Sequence, residues 1–83
     1  MSFNNFLAPV WLAPGGTHWW WYTFGDNRGA QYAMADLKTP NATLRSTEQG
    51  KSLDPNGVAT YYVTIRNDGP MWAYYNLQGG GST

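Results

Sequence analysis

"VATYYVTIRNDGPMWAYYNLQ", residues 58 to 78, decides the fold class. Its two halves are crowded with β-branched and aromatic residues, the types that fit a pleated surface. Between them "NDGP", at 67 to 70, carries the residues of a tight turn. Side chains alternate across a strand, so Tyr61, Val63 and Ile65 share one face while Thr60, Tyr62, Thr64 and Arg66 share the other, wetter one. Past the turn, Met71, Ala73, Tyr75 and Leu77 oppose Trp72, Tyr74 and Asn76. The stretch therefore reads as a β-hairpin from Val58 to Gln78.

The remaining turn signals come at strand-like intervals. "DPNG" at 54 to 57 precedes this hairpin, with Pro pre-set for the first central position and Gly free to take positive φ. A polar strand is expected from Ala42 to about Gln49, at a sheet edge, where Lys51 would discourage pairing with a stranger. Another runs from Ala30 to about Lys38, ended by "TPN". "THWWWYTF", 17 to 24, forms the first strand, and "GDNRG" turns the chain after it. No window longer than a turn or two carries a helical apolar period. The division expected is an extended apolar N-terminal arm over 1–16, a single β domain over 17–78, and a flexible Gly-rich tail over 79–83. The fold class is all-β, a small antiparallel β-sandwich or barrel of about five to six strands behind that arm.

"YYVTIRNDGP", residues 61 to 70, resembles the Tyr-x-Val-Thr-x-x-Asn-x-Gly stretch of immunoglobulin-like accessory modules in bacterial surface and secreted proteins. The resemblance covers ten residues and implies a β-sandwich in a binding or spacer role. It carries over no functional residue.

Composition narrows the function classes. At 83 residues the chain is expected to bury only about 60 to 65% of its unfolded surface, and it has no cysteine for disulfides or a thiolate zinc site. Five Trp, six Tyr and three Phe must supply much of the stability instead. Arg28, Lys38, Arg45, Lys51 and Arg66 are scattered and balanced by five acids, which speaks against nucleic acid. Zero net charge also removes the repulsion that keeps monomers apart, so a homo-oligomer is expected. No stretch has the length of a membrane span, and the N-terminus, broken by Pro9 and Pro14 and lacking a basic start, does not read as a signal peptide. The compartment is left open between cytoplasmic and mature secreted.

Catalytic signatures fail on inspection. "QGKS" at 49 to 52 lacks the glycine that a phosphate loop needs at position 45, which holds Arg. His18 is the only histidine, and no Cys or nucleophile elbow accompanies it. Asp26, Asp54 and Asp68 sit at turns, where aspartates bond their own backbone. "DNRG" and "DPNG" lack the longer alternating carboxylates of a calcium loop. "NAT" at 41 to 43 matches the glycosylation acceptor, which matters only in a eukaryotic secreted protein. The expectation is a protein without enzymatic activity, metal or cofactor.

The aromatic strands carry the functional argument. In "THWWWYTF", His18, Trp20, Tyr22 and Phe24 share one side, and Trp19 and Trp21 share the other with Thr17 and Thr23. Both sides are apolar, so one is core and the other, presenting about 300 to 400 Å² of tryptophan, needs a cover. Three covers are available: the arm, with Phe3, Phe6, Leu7, Val10, Trp11 and Leu12; a second copy of the chain; or a ligand. Flat rings stack on the C–H faces of sugars while Asn and Arg bond hydroxyls, so carbohydrate is the expected ligand. The candidate binding residues are Trp19, Trp21, Trp72, Tyr74, Asn76 and Arg28. The alternative is a self-assembling scaffold module whose aromatic face is an oligomer interface.

Overall fold

The computed structural model describes residues 4–5 and 9–81. Seven strand segments follow in chain order: β1 (Asn4–Asn5), β2 (Val10–Leu12), β3 (Thr17–Tyr22), β4 (Gln31–Leu37), β5 (Leu44–Leu53), β6 (Ala59–Asn67) and β7 (Ala73–Gly81). They build two antiparallel sheets. In one, β6 lies between β3 and β5. In the other, β7 lies between β4 on one side and the successive segments β1 and β2 on the other. The fold is an all-β sandwich, as expected, and it is not closed into a barrel. No helix among the described residues is long and apolar enough to cross a membrane.

The inner faces are the ones that alternation groups together. Tyr61, Val63 and Ile65 of β6, Ala73, Tyr75 and Leu77 of β7, Ala33 of β4 and Leu12 of β2 are buried. Trp20, Tyr22, Val10, Ala35 and Leu44 pack against that cluster. The even-numbered side of "THWWWYTF" is thus the core side.

The described part of the N-terminal arm includes two strand segments, β1 and β2. β2 pairs with β7 in the register Val10 to Tyr75, Trp11 to Tyr74 and Leu12 to Ala73. Leu12 points inward and Trp11 outward, with its ring 4.7 Å from that of Tyr74. The expected apolar contributions of Phe3, Phe6 and Leu7 lie outside the described residues.

Three local expectations are corrected. Residues 58–78 are not a hairpin, because β6 and β7 belong to different sheets. The cause is the corner at Asn67, which is fully buried. Its Nδ2 donates to the carbonyls of Leu12 (3.0 Å) and Met71 (2.8 Å), and its Oδ1 accepts from Gly69 N (3.0 Å). Those bonds fold "NDGP" over the sandwich rim and deliver the next strand to the opposite sheet.

The glycine run does not start a tail at 79, since β7 continues through Gly81 against Gln31 of β4. A Cβ at Gly81 would run into the carbonyl oxygen of Ala30 and the side chain of Gln31, so close approach of two backbones requires glycine there. Residues 82–83 of that expected tail lie outside the described residues. Finally, the polar strand runs on through "QGKS" to Leu53, which places that motif in β5 rather than in a loop.

Turn chemistry holds at "DPNG". Asp54 Oδ1 accepts from Asn56 N (2.8 Å) and Val58 N (2.9 Å), and Gly57 takes φ 81°. Side chains of β5 close its side of the sandwich: Gln49 Oε1 accepts from Ala33 N, and Lys51 Nζ donates to Asn27 Oδ1 and to Gly29 O.

Candidate binding face

Among the described strands only β6 pairs with β3, and two inner side chains of β3, His18 and Trp20, meet at one hydroxyl. Tyr75 Oη, from the other sheet, accepts from Trp20 Nε1 at 2.8 Å and lies 2.5 Å from His18 Nδ1. The hydroxyl has both a proton and acceptor lone pairs, so it accepts from Trp20 and pairs with His18 Nδ1 in either imidazole tautomer. Burial lowers the His18 pKa from its ordinary value. Burial also raises that of Tyr75, partly offset by the bond from Trp20. Around Tyr22 the ring of Tyr61 is stacked at 5.4 Å, and burial and then Tyr61 push the Tyr22 hydroxyl up.

Locking the even side inward turns the odd side out. Trp19 and Trp21 are 74% and 68% exposed, and Tyr62, directly across from Trp21 on β6, is 45% exposed. The two tryptophans stand two residues apart on one strand face, about 6.8 Å along it. Gly50 lies across from Tyr62 on β5 with no side chain, and the Tyr62 ring passes beside it toward Ser52, whose Oγ is 2.9 Å from Tyr62 Oη. Three rings therefore occupy one outward face of a three-stranded sheet.

Polar groups frame the rings. Thr64 and Glu48 continue the row of Trp19, and Thr60 and Ser52 lie beyond Tyr62. At the other end, Thr17, Arg66 and Arg45 share a row. Asp68 bonds both Arg45 and Arg66 Nε (2.8 Å to the latter), and Arg66 Nη1 donates to Thr17 Oγ1 at 3.2 Å. The hydrogen bond from Arg45, then that from Arg66, holds the Asp68 carboxyl below its usual range. The face thus runs from a corner where one aspartate ties two arginines to a hydroxyl-rich end, with aromatic rings between. Its chemistry is stacking plus hydrogen bonding.

The six candidate residues from the sequence do not meet in one place. Trp19 and Trp21 lie on the outer face of the β3–β6–β5 sheet. Tyr74, paired with Trp11, lies on the outer face of the other sheet, and Trp72, just before β7, is 58% exposed. Asn76 is on that second face too, opposite Asp36, but buried at 4% exposure. Arg28 sits in the β3–β4 connection, its guanidinium 4.2 Å from the Phe24 ring centroid and its Nε on Asp26. Alternation groups residues by side within a strand, whereas the two sheets turn those sides in opposite directions. Tyr62 and Ser52 join the candidate face in place of the four. Tyr62 was legible as the large ring on the wet side of its strand; Ser52 had no signal, because its strand was expected to stop at Gln49.

Among the described residues no three His, Asp or Glu side chains gather where they could hold a metal ion. Comparison with protein-family models, with curated proteins and with solved structures gives no match. The functional reading rests on the residues themselves.

Proposed function

We propose that this chain is a non-enzymatic, lectin-like carbohydrate-binding module whose site is the outer face of the β3–β6–β5 sheet. One observation carries the reading: Trp19, Trp21 and Tyr62 stand outward together, and β1 and β2, which could have covered them, pair instead along β7. Tryptophan that is about 70% exposed adds little to the fold and carries a solubility cost, so a flat ligand is a reason for its placement. Sugar rings whose hydroxyls are equatorial offer C–H faces to such rings, and Ser52, Tyr62, Glu48 and Thr60 supply bonds at the hydroxyl rim. The resemblance of residues 61–70 to immunoglobulin-like accessory modules is in keeping with a binding role.

The test is titration with cello-, chito- and galacto-oligosaccharides, read by indole N–H shifts in NMR spectra. The indole signals of Trp19 and Trp21 are expected to move for at least one sugar. Trp19→Ala with Trp21→Ala should abolish that response, while Trp11→Ala and Trp72→Ala keep it. Absence of any shift at millimolar sugar, or equal loss from the Trp11 and Trp72 variants, would overturn the reading.

A further inference from the structure

The two edges of the β3–β6–β5 sheet are built differently. β5 carries the guards that keep an edge from pairing with a stranger: Arg45, Glu48 and Lys51, a register shift between Ser46 and Glu48, and Gly50 within the strand. β3 carries none of them. Its sequence Thr-His-Trp-Trp-Trp-Tyr has no charged carboxylate, lysine or arginine, no proline, and an unbroken register against β6 from Thr17 to Tyr22.

The phase of the ladder tells which backbone groups face outward. Asn67 N donates to Gly16 O at 3.0 Å, in the same register that pairs Thr17 with Arg66. Hydrogen-bonded pairs alternate along an antiparallel ladder, so the even positions of β3 bond β6 while the N–H and C=O groups of Thr17, Trp19 and Trp21 point away from it. No described strand pairs with β3 on that side.

We infer that the free edge of β3 pairs with β3 of a second copy of this chain, antiparallel about a two-fold axis at Trp19. That register sets Trp19 against Trp19 and Thr17 against Trp21 of the second copy, and each such pair exchanges two backbone hydrogen bonds. It uses all three outward positions and leaves none over. The side-chain pairs it makes are aromatic on aromatic and β-branched on aromatic, the favourable cross-strand kinds. A second copy also suits the charge: the chain has zero net charge, and β3 contributes no like charges at the axis. The product is a six-stranded sheet that merges two Trp19–Trp21 rows into one continuous aromatic surface. This inference does not depend on the nature of any ligand.

Trp19→Pro and Trp19→Ala separate the backbone from the ring. Both remove the indole, but only proline removes the outward N–H, and it costs no bond to β6. Sedimentation equilibrium from micromolar to millimolar protein should show a dimer for the wild type. Two N–H donors are lost per dimer in Trp19→Pro, so its dissociation constant should exceed that of Trp19→Ala about ten- to hundredfold. Amide hydrogen exchange on the unaltered chain supplies a second reading should the proline variant not fold. Protection of the Thr17, Trp19 and Trp21 amides is expected to rise with protein concentration while that of His18 and Trp20 stays constant. A wild type that remains monomeric throughout, equal dissociation constants for the two variants, or edge amides insensitive to concentration would each overturn the inference.

Discussion

Tyr75→Phe tests the account of how the sandwich chooses its inner side. The ring of Tyr75 is completely buried, and phenylalanine fills the same space, so no cavity term enters. What disappears is the hydroxyl that accepts from Trp20 Nε1 at 2.8 Å and serves His18 Nδ1 at 2.5 Å. A neutral hydrogen bond contributes about 0.5 to 1.5 kcal/mol net, and two stranded partners that are only half-buried bring the loss to about 2 kcal/mol. Against a stability of about 5 kcal/mol for so small a domain, that is a large fraction. At about 4 to 8 °C per kcal/mol, the melting temperature should fall by about 8 to 16 °C. Urea unfolding followed by circular dichroism measures the loss directly, with an unchanged slope showing that the same surface is exposed. A loss below about 0.5 kcal/mol would show that the hydroxyl does not join the sheets and would refute the reasoning.

Acidification should destabilise the protein through His18. Its folded pKa lies below 6.5, so the unfolded chain binds the proton more readily; the stability is fully present above pH 6.5 and declines as pH falls toward the folded value. His18→Gln should flatten the melting-temperature profile over that window, and a wild type whose stability rises on acidification would contradict the assignment. Asn67→Ala removes the three bonds of the corner between sheets and should cost about 2 to 3 kcal/mol in urea unfolding; a cost within about 0.5 kcal/mol would mean that the corner is held by something else. Trp19→Ala and Trp21→Ala should leave stability within about 0.5 kcal/mol of wild type, whereas Trp20→Ala should lose about 3 kcal/mol; thermal melts giving the reverse order would invert the strand. Gly81→Ala should cost about 1 to 3 kcal/mol of stability through overpacking against Ala30 and Gln31, seen as a lower melting temperature, where a free tail would give no change.

Much of the fold was legible because it is written locally. Alternation in 17–24, 59–67 and 73–78 follows from strand geometry alone, and it sorted Tyr61, Val63, Ile65, Tyr75 and Leu77 onto faces that are indeed buried. "DPNG" declared its turn because Asp54 bonds backbone groups two and four residues on, a matter of local reach. The hairpin from 58 to 78 failed for a related reason. A tight-turn sequence says that the chain reverses, not whether the returning strand lies beside its predecessor or across from it. That choice was made by Asn67, whose partner Leu12 lies 55 residues away.

The candidate face divides along the same line. The sequence by itself determined that Trp19 and Trp21 must share a side, that Trp20 must oppose them, and that Tyr62 must oppose Val63, since each follows from the two-residue repeat of a strand. Only the tertiary structure decided which side is solvent, because both sides of this strand are apolar and hydrophobicity cannot rank them. The deciding group is a single buried hydroxyl, Tyr75 Oη, which satisfies the ring nitrogens of His18 and Trp20 at once. On the other side of β3 no comparable partner is needed, and the two remaining indoles face outward.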